Sequence, residues 1–315
     1  MRWTPIDDVP AWSRLTNELA VADGTGEFYD EADLAEELTE AGVDPRKDTW
    51  AVWDGDTMVA YGQVRVYDLN NEGAVRCDLG GGVLPSHRRR GIGRDLLQRM
   101  ETRAVAVART RHPDTPIHLG VPGQTEGADV RGLLEHCGYE PVRYFTQMVI
   151  ADLPDAEIAV PAGDVIPVDA SDADQREAIR LAHADSFRDH WGSTVWSPQK
   201  WDDFMLGRPF RADLSRIAIS PGGEVLAFTL ASRYVEGEFY IGIVGTRRAA
   251  RGRGLAKATL LGSLRAAQAA GFERAELDVD SQNPTGALGL YEGTGFTRAK
   301  VKAAYAKRVP ANTVG

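Results

Sequence analysis

Residues 244–260 read VGTRRAARGRGLAKATL. Four arginines and three glycines stand between an apolar run and a segment that reads as a helix from Leu255. Glycine lets backbone come close to a ligand. The first N–H groups of a helix have no partner inside it. A strand, a glycine-rich loop and a helix start together make an anion site, and a pyrophosphate suits it. Arg251 or Arg253 adds charge-assisted hydrogen bonds. The spacing is neither GxGxxG after a first strand nor GxxxxGK[ST], so the phosphate-bearing ligand is held in another way.

The same phrase occurs earlier as LPSHRRRGIGRDLLQRM, residues 84–100, which puts Gly91 and Gly254 163 residues apart. Their surroundings also repeat. TWAVWDGD and TMVAYGQVRVYD read as strand, turn and longer strand ahead of Gly91; RIAIS, PGG and EVLAFTLASRYV do so ahead of Gly254. A third strand follows in each copy, GAVRCDLGGGV and GEFYIGIVG. Ile92, Leu96 and Met100, and then Leu260, Leu264 and Ala267, give the two following helices an apolar face. Short strands come next, PIHLGV and AELDVD. In the second, Ala275, Leu277 and Val279 alternate with Glu276, Asp278 and Asp280. Each copy then has a helix ending on a Gly-aromatic pair, Gly138-Tyr139 and Gly295-Phe296, with a last strand beyond it. The chain therefore reads as two copies of one α/β unit. The stretch ADLPDAEIAVPAGD carries the expected linker, residues 154–163, between domains over 1–153 and 164–315.

Composition agrees with two globular domains: 315 residues, 43% hydrophobic and 26% charged. A net charge of -10 argues against a general nucleic-acid binder. No stretch approaches a membrane span and MRWTPIDDVPAW is not a secretion segment, so a cytoplasmic location is expected. Cys77 and Cys137 make neither a disulfide framework nor a zinc motif, and the six histidines form no HExxH; no metal is expected.

Arg251-x-x-Gly254-x-Ala256 and Arg88-x-x-Gly91-x-Gly93 resemble the acetyl-coenzyme A signature of the GCN5-related N-acetyltransferase (GNAT) superfamily. VDSQNPTGALGLYEGTGF, residues 279–296, resembles that superfamily's closing segment. The likeness covers nearly the whole chain as a tandem pair, and among tandem members it is most similar to the mycothiol synthase type. It implies an α/β, tandem duplicated GNAT fold, each copy a mixed, largely antiparallel splayed central sheet flanked by helices. Acetyl-CoA (coenzyme A) then lies in the gap of the sheet, along Ile243, Val244 and Gly245. Its pyrophosphate rests on Arg251, Gly252, Arg253, Gly254, Leu255 and Ala256, and Asn283 also contacts it. The matching positions of the first copy are Val83, then Arg88, Arg89, Arg90, Gly91, Ile92 and Gly93.

Acetyl transfer from a thioester to an amine needs a neutral amine, a stabilised carbonyl oxygen and a protonated leaving sulfur. Backbone N–H groups around Val244 suit the oxygen. The resemblance gives Tyr291 the acid role, although periodicity alone reads it equally as a core aromatic. Glu238 is the candidate base and shares a strand face with Tyr240; an ordinary surface carboxylate is the other reading. In the first copy Leu134 falls where Tyr291 stands, and the Asn is missing. The first domain is therefore expected to be catalytically degenerate and the second catalytic.

The segment LAHADSFRDHWGSTVWSPQKWDDF, residues 181–204, is the candidate acceptor wall, with His190 and Trp191 as contacts and Tyr240 as a further one from the strand; helix packing is the segment's other reading. His183 reads as a packing histidine, and Ser197-Pro198 as a helix cap and first position. The expected partner is a small-molecule amine, and the chain a monomer with its domains packed together. Protein or peptide N-acetylation, and a non-catalytic acyl-CoA-binding regulatory module, are the competing readings.

Overall fold

The structure is a computed structural model that describes residues 1–153, 156, 165–188, 190–191, 193–282 and 286–311. Asn283 and, apart from Ala156, the expected linker 154–163 lie outside the described residues. In chain order the first half runs β1 (Arg2–Thr4), α1 (Val9–Ala22), α2 (Glu31–Glu37), α3 (Pro45–Asp48), β2 (Thr49–Asp54), β3 (Thr57–Leu69), β4 (Val75–Val83), α4 (Ile92–Arg111), β5 (Ile117–Thr125), α5 (Asp129–His136) and β6 (Glu140–Ile150). The second half repeats this as β7 (Val165–Pro167), α6 (Ala173–Ser186), α7 (Pro198–Leu206), β8 (Arg216–Ile219), β9 (Val225–Ser232), β10 (Glu238–Thr246), α8 (Leu255–Ala269), β11 (Arg274–Asp280), α9 (Ala287–Glu292) and β12 (Thr297–Val309).

Local signals explain the helix starts. Asp8 caps α1 by accepting from Ala11 N at 2.8 Å. Ser197 caps α7, accepting from Lys200 N at 3.2 Å with Pro198 behind it, as the sequence predicts. In both α4 and α8 the cap is a left-handed glycine: Gly91 with φ 86° and Gly254 with φ 75°.

The chain folds as two compact units. The first holds Met1–Tyr144 with the segment from Val301 onward; the second holds Phe145–Lys300. In the first unit the strands lie in the order β1-β2-β3-β4-β5-β12. Leu96 and Met100 of α4 close on Gly62 from one face of β3. Trp12 of α1 meets Tyr61 on the other face, ring centroids 5.9 Å apart. In the second unit the order is β6-β11-β10-β9-β8-β7. Leu260 and Leu264 of α8 pack with Phe239, Ile241 and Leu277. Ile179 of α6 and Trp201 of α7 pack with Phe228 and Leu230 in a separate cluster.

Here the structure differs from the sequence reading, which closes each copy on its own last strand. Phe145–Ile150 of β6 pairs antiparallel with Ala275–Asp280 of β11, inside the second unit. Lys302–Val309 of β12 pairs antiparallel with Ile117–Thr125 of β5, inside the first. The closing strands are exchanged. Both have the same partner chemistry because the copies are homologous in pattern, so periodicity cannot say which edge each strand joins.

Both sheets are mixed and split at their one parallel pair. β4 pairs with β5 only over Val75–Asp78, and its remaining residues to Val83 run free of that neighbour. β10 pairs with β11 only over Glu238–Tyr240. A bulge then falls at Gly242, between the pairs Ile241↔Ala231 and Ile243↔Leu230. The extra residue bends the strand and reverses which side chains face each layer. Thus Phe239 and Ile241 join the α8 layer before the bulge, and Ile243 packs with the α6–α7 cluster after it. Among the described residues no helix is long and apolar enough to cross a membrane.

Candidate functional site

Each split opens beside an arginine–glycine loop. In the second unit β10 runs through Ile243, Val244 and Gly245 and leaves by a short 3-10 turn, Arg248–Ala250. Gly245 is buried, and a Cβ there would meet the Phe228 ring at 2.3 Å, so only glycine fits. Gly252 and Gly254 both have positive φ, 76° and 75°, and wind the chain into α8. The first intrahelical bond, Ala258 N to Gly254 O at 3.0 Å, leaves the N–H groups of Leu255, Ala256 and Lys257 without helical partners. Arg251 and Arg253 are exposed. Arg251 donates to the Ser186 carbonyl at 3.0 Å, and Arg253 makes no ion pair among the described residues. The three N–H groups and the two arginines thus lie together at the start of α8, where the loop sequence leads one to expect an anion site.

The first unit has the same turn with a different charge state. Arg88 holds Asp23 through Nη2 at 2.7 and 2.9 Å and lies 3.5 Å from Asp129. Arg89, the one non-glycine residue with positive φ among those described, meets Asp129 at 3.1 Å. Arg90 donates to the Ser86 carbonyl at 2.9 Å. Gly91, Ile92 and Gly93 start α4. In the second unit the carboxylate contacts fall earlier in the loop, with Arg248 N donating to Asp185 at 3.0 Å and Arg247 meeting Glu224 at 3.3 Å.

α9 and α5 settle the comparison of Tyr291 with Leu134. Phe296 N donates to Tyr291 O at 3.1 Å, and Tyr139 N donates to Leu134 O at 2.9 Å. The bonds Thr294 N to Tyr291 O and Cys137 N to Leu134 O also correspond, each at 3.0 Å. The two residues occupy one structural position. Tyr291 is buried with Val244 and Val279, from the two strands that part, and meets Phe296 edge-on at 6.1 Å. Burial pushes its hydroxyl up to about 12. That hydroxyl has no partner among the described residues.

Glu238 and Tyr240 lie on the face of β10 away from α8, both half-buried. Tyr240 Oη approaches Asp278 Oδ2 at 3.5 Å, and its ring meets Tyr234 at 5.8 Å. Glu276, next along the same face of β11, accepts from Gln147 at 3.0 Å. Asp278 and Glu276 therefore stand beside Tyr240, while Glu238 lies opposite Arg274; the sequence reading did not name the two β11 carboxylates as candidates. Their signal was present in the alternation of AELDVD, whose acidic side faces away from the α8 core.

The aromatic segment divides. Trp201 is 1% exposed and packs in one cluster with Phe210 and with half-buried Trp196 and Phe204. His183 sits among them, stacked on Phe187 at 4.7 Å and 5.1 Å from the Trp201 ring. His190 and Trp191 stay half-buried just beyond α6, with His190 against Phe187 at 4.6 Å.

His183 gives a pH prediction. Burial first, then the nearby positive charges of His190, Arg180 and Lys200, lowers its pKa to about 4. The unfolded chain binds a proton near pH 6.5, which the folded core refuses. Stability is therefore full above pH 6.5 and falls as pH drops toward 4, by about 3 kcal/mol. Chemical denaturation of the second unit at pH 7.5 and 4.5, for the parent and His183→Phe, measures this. The variant should lose less stability by about that amount; equal losses would refute the assignment.

Known proteins share this architecture. A model of the Acetyltransferase (GNAT) family matches residues 176–296, and a model of an Acetyltransferase (GNAT) domain matches residues 45–141. A mycothiol acetyltransferase of Kineococcus radiotolerans is 32% identical over 230 residues, 71% of this chain and 70% of that one. Another, of Geodermatophilus obscurus, is 27% identical over 93% of this chain and 92% of its own. Among solved structures, a GCN5-related N-acetyltransferase from Sphaerobacter thermophilus has a TM-score of 0.74 at 23% identity, covering 97% of this chain and 94% of that one. A tandem GNAT protein from the clavulanic acid biosynthesis pathway has a TM-score of 0.73 at 18% identity, over 99% of each chain.

Proposed function

Because the chain belongs to the acetyltransferase (GNAT) family and carries two of its domains in tandem, we propose that its second unit moves an acetyl group from acetyl-coenzyme A to the amine of a small molecule. The observation that carries this reading is the pairing of a split sheet with Tyr291. β10 and β11 part after Tyr240, the loop from Arg251 to Ala256 turns into the α8 N-terminus, and Tyr291 stands in the apolar cluster with residues of both strands.

The thioester supplies the activated acetyl group. Arg251, Gly252, Arg253 and the α8 N-terminus hold the pyrophosphate. Backbone N–H groups around Val244, on the edge that β11 leaves, donate to the carbonyl oxygen as charge grows on it. Tyr291 Oη–H donates to the departing sulfur. Glu238 takes the amine's proton, directly or through water; Tyr240, next along its face of the strand, meets Asp278. His190 and Trp191 supply contacts to the acceptor. The first unit keeps the loop but has Leu134 in place of the acid, so it binds rather than transfers.

The names of the curated relatives favour an acceptor of the mycothiol-precursor kind, a cysteinyl amino-sugar conjugate. Thiol release from acetyl-coenzyme A across that conjugate, aminoglycosides, polyamines, amino acids and a lysine peptide tests the reading. Turnover with one small amine is expected. Turnover with the peptide alone would replace it with protein acetylation, and none with any amine would refute it.

A further inference from the structure

At one end of the first unit's sheet, three polar side chains form a hydrogen-bonded chain. β2 ends at Asp54, and Gly55, with φ 59°, turns the backbone toward β3. β3 lies between β2 and β4, so the end of β2 and the end of β4 come to the same side of the sheet. Beyond Val83 the chain makes one 3-10 turn, Pro85–His87, which Pro85 opens with its fixed φ. Leu84 anchors that turn. Its side chain is buried and its N–H donates to Val59 O at 2.9 Å. The first unit also has a cavity of about 730 Å³ lined by residues of α1, α2, β3, β4, α4, β5 and α5, and none of Asp54, Ser86 and His87 lines it.

Ser86 Oγ lies 2.9 Å from His87 Nδ1, and His87 Nε2 lies 3.2 Å from Asp54 Oδ2. A carboxylate only accepts, so Nε2 carries the proton of the neutral ring. Nδ1 is then the acceptor, and Ser86 Oγ–H donates to it. This is the order of a nucleophile, a general base and a carboxylate that orients the base. Ser86 is exposed, whereas the imidazole is 16% exposed. The base is held while the hydroxyl faces solvent. Two donors stand at the same residue. Ser86 N is the first N–H of the turn, because Pro85 has none, and it makes no bond among the described residues. Arg90 Nη2 donates to Ser86 O at 2.9 Å, and its guanidinium makes no ion pair among those residues.

We infer that Ser86 is the nucleophile of a second acyl-transfer site, which takes acyl groups from small activated esters and passes them to water. Ser86 Oγ bonds to the acyl carbon and its proton moves to His87 Nδ1. The C–O bond to the leaving group breaks, and the departing oxygen takes that proton. Asp54 steadies the imidazolium in between. The Ser86 N–H and the Arg90 guanidinium meet the charge that gathers on the carbonyl oxygen. Water then gives its proton to the same nitrogen, attacks the acyl-serine and frees Ser86 as the acid departs. An exposed turn offers little surface to hold a large acyl group. The donor is therefore small and carries a good leaving group, which needs little help from an acid. This chemistry does not depend on the second unit's transfer.

Incubation of the full chain with 4-nitrophenyl acetate tests this. Nitrophenolate should appear faster than in buffer alone, and mass spectrometry of acid-quenched protein should find acetyl on Ser86. Ser86→Ala should remove that acetyl group and lower the protein-dependent release by about tenfold or more. His87→Gln should slow the release by about 10²–10⁴-fold, as expected for losing a general base. Asp54→Asn should lower kcat at unchanged KM, and Asp54→Glu should restore part of it, which a merely structural tie would not do. Ser86→Ala removes one exposed hydroxyl, so the fold survives and carries the test if His87→Gln unfolds. Thiol release from acetyl-coenzyme A should be the same in Ser86→Ala as in the parent, which separates this result from any failure of the proposed reaction. No acetyl on Ser86, unchanged release in Ser86→Ala, or equal rates for the parent and a folded His87→Gln would overturn the inference.

Discussion

Tyr291→Phe lowers kcat for acetyl transfer by about 10²–10³-fold and leaves coenzyme A affinity within a few-fold. The substitution removes one oxygen and keeps the ring that packs against Phe296 and Val279. Folding should be unaffected. The magnitude follows from what the hydroxyl does. With its pKa pushed up to about 12, it stays protonated over any working pH. Full transfer to a thiolate of ordinary pKa, about 8.5, is uphill by roughly 5 kcal/mol. In the proposed reaction Tyr291 would therefore act by donating a hydrogen bond that strengthens as charge gathers on sulfur, and the proton would move late. The pH–rate profile should accordingly show no loss of a tyrosyl proton below pH 10. An unchanged kcat, or a coenzyme affinity that falls as far as kcat, would sink the acid role.

Tyr305→Ala destabilises the first unit by about 3–5 kcal/mol, although Tyr305 belongs to the second copy in sequence. It is 2% exposed in the first unit's core, and its hydroxyl donates to Glu135 at 2.9 Å. Hydrogen exchange at 1–144 should quicken strongly, and that at 165–300 should not. The reverse distribution would mean that the closing strands are not exchanged.

Much of the fold is legible in local pattern. The two loops, with Gly91 and Gly254, announce themselves because glycine takes up without strain the left-handed cap that both adopt. The strands ahead of them alternate or run apolar as burial dictates. The correspondence of Leu134 with Tyr291 could be read from a shared Gly-aromatic ending, and the matching carbonyl bonds explain why. Three things were not legible. Strand exchange depends on long-range pairing between two edges of the same chemistry. The aromatic run 181–204 mixes core and surface because α6 ends at Ser186 and α7 begins only at Pro198, so one periodicity cannot describe it. The cavity of the first unit is assembled from residues as far apart as Trp12, Tyr61 and Leu134. Nothing in the acidic segment around Glu37 declares that it will face Gln63.

The exchanged strands also set an order of events during synthesis. A ribosome delivers residues 1–144 long before Val301–Val309, so β5 waits with an unpaired edge while the entire second copy is made. Such an edge invites pairing with other nascent chains. Meanwhile β6 is available early for β11, and the second unit has all its strands as soon as Asp280 emerges. The half that is translated first is the half that is completed last.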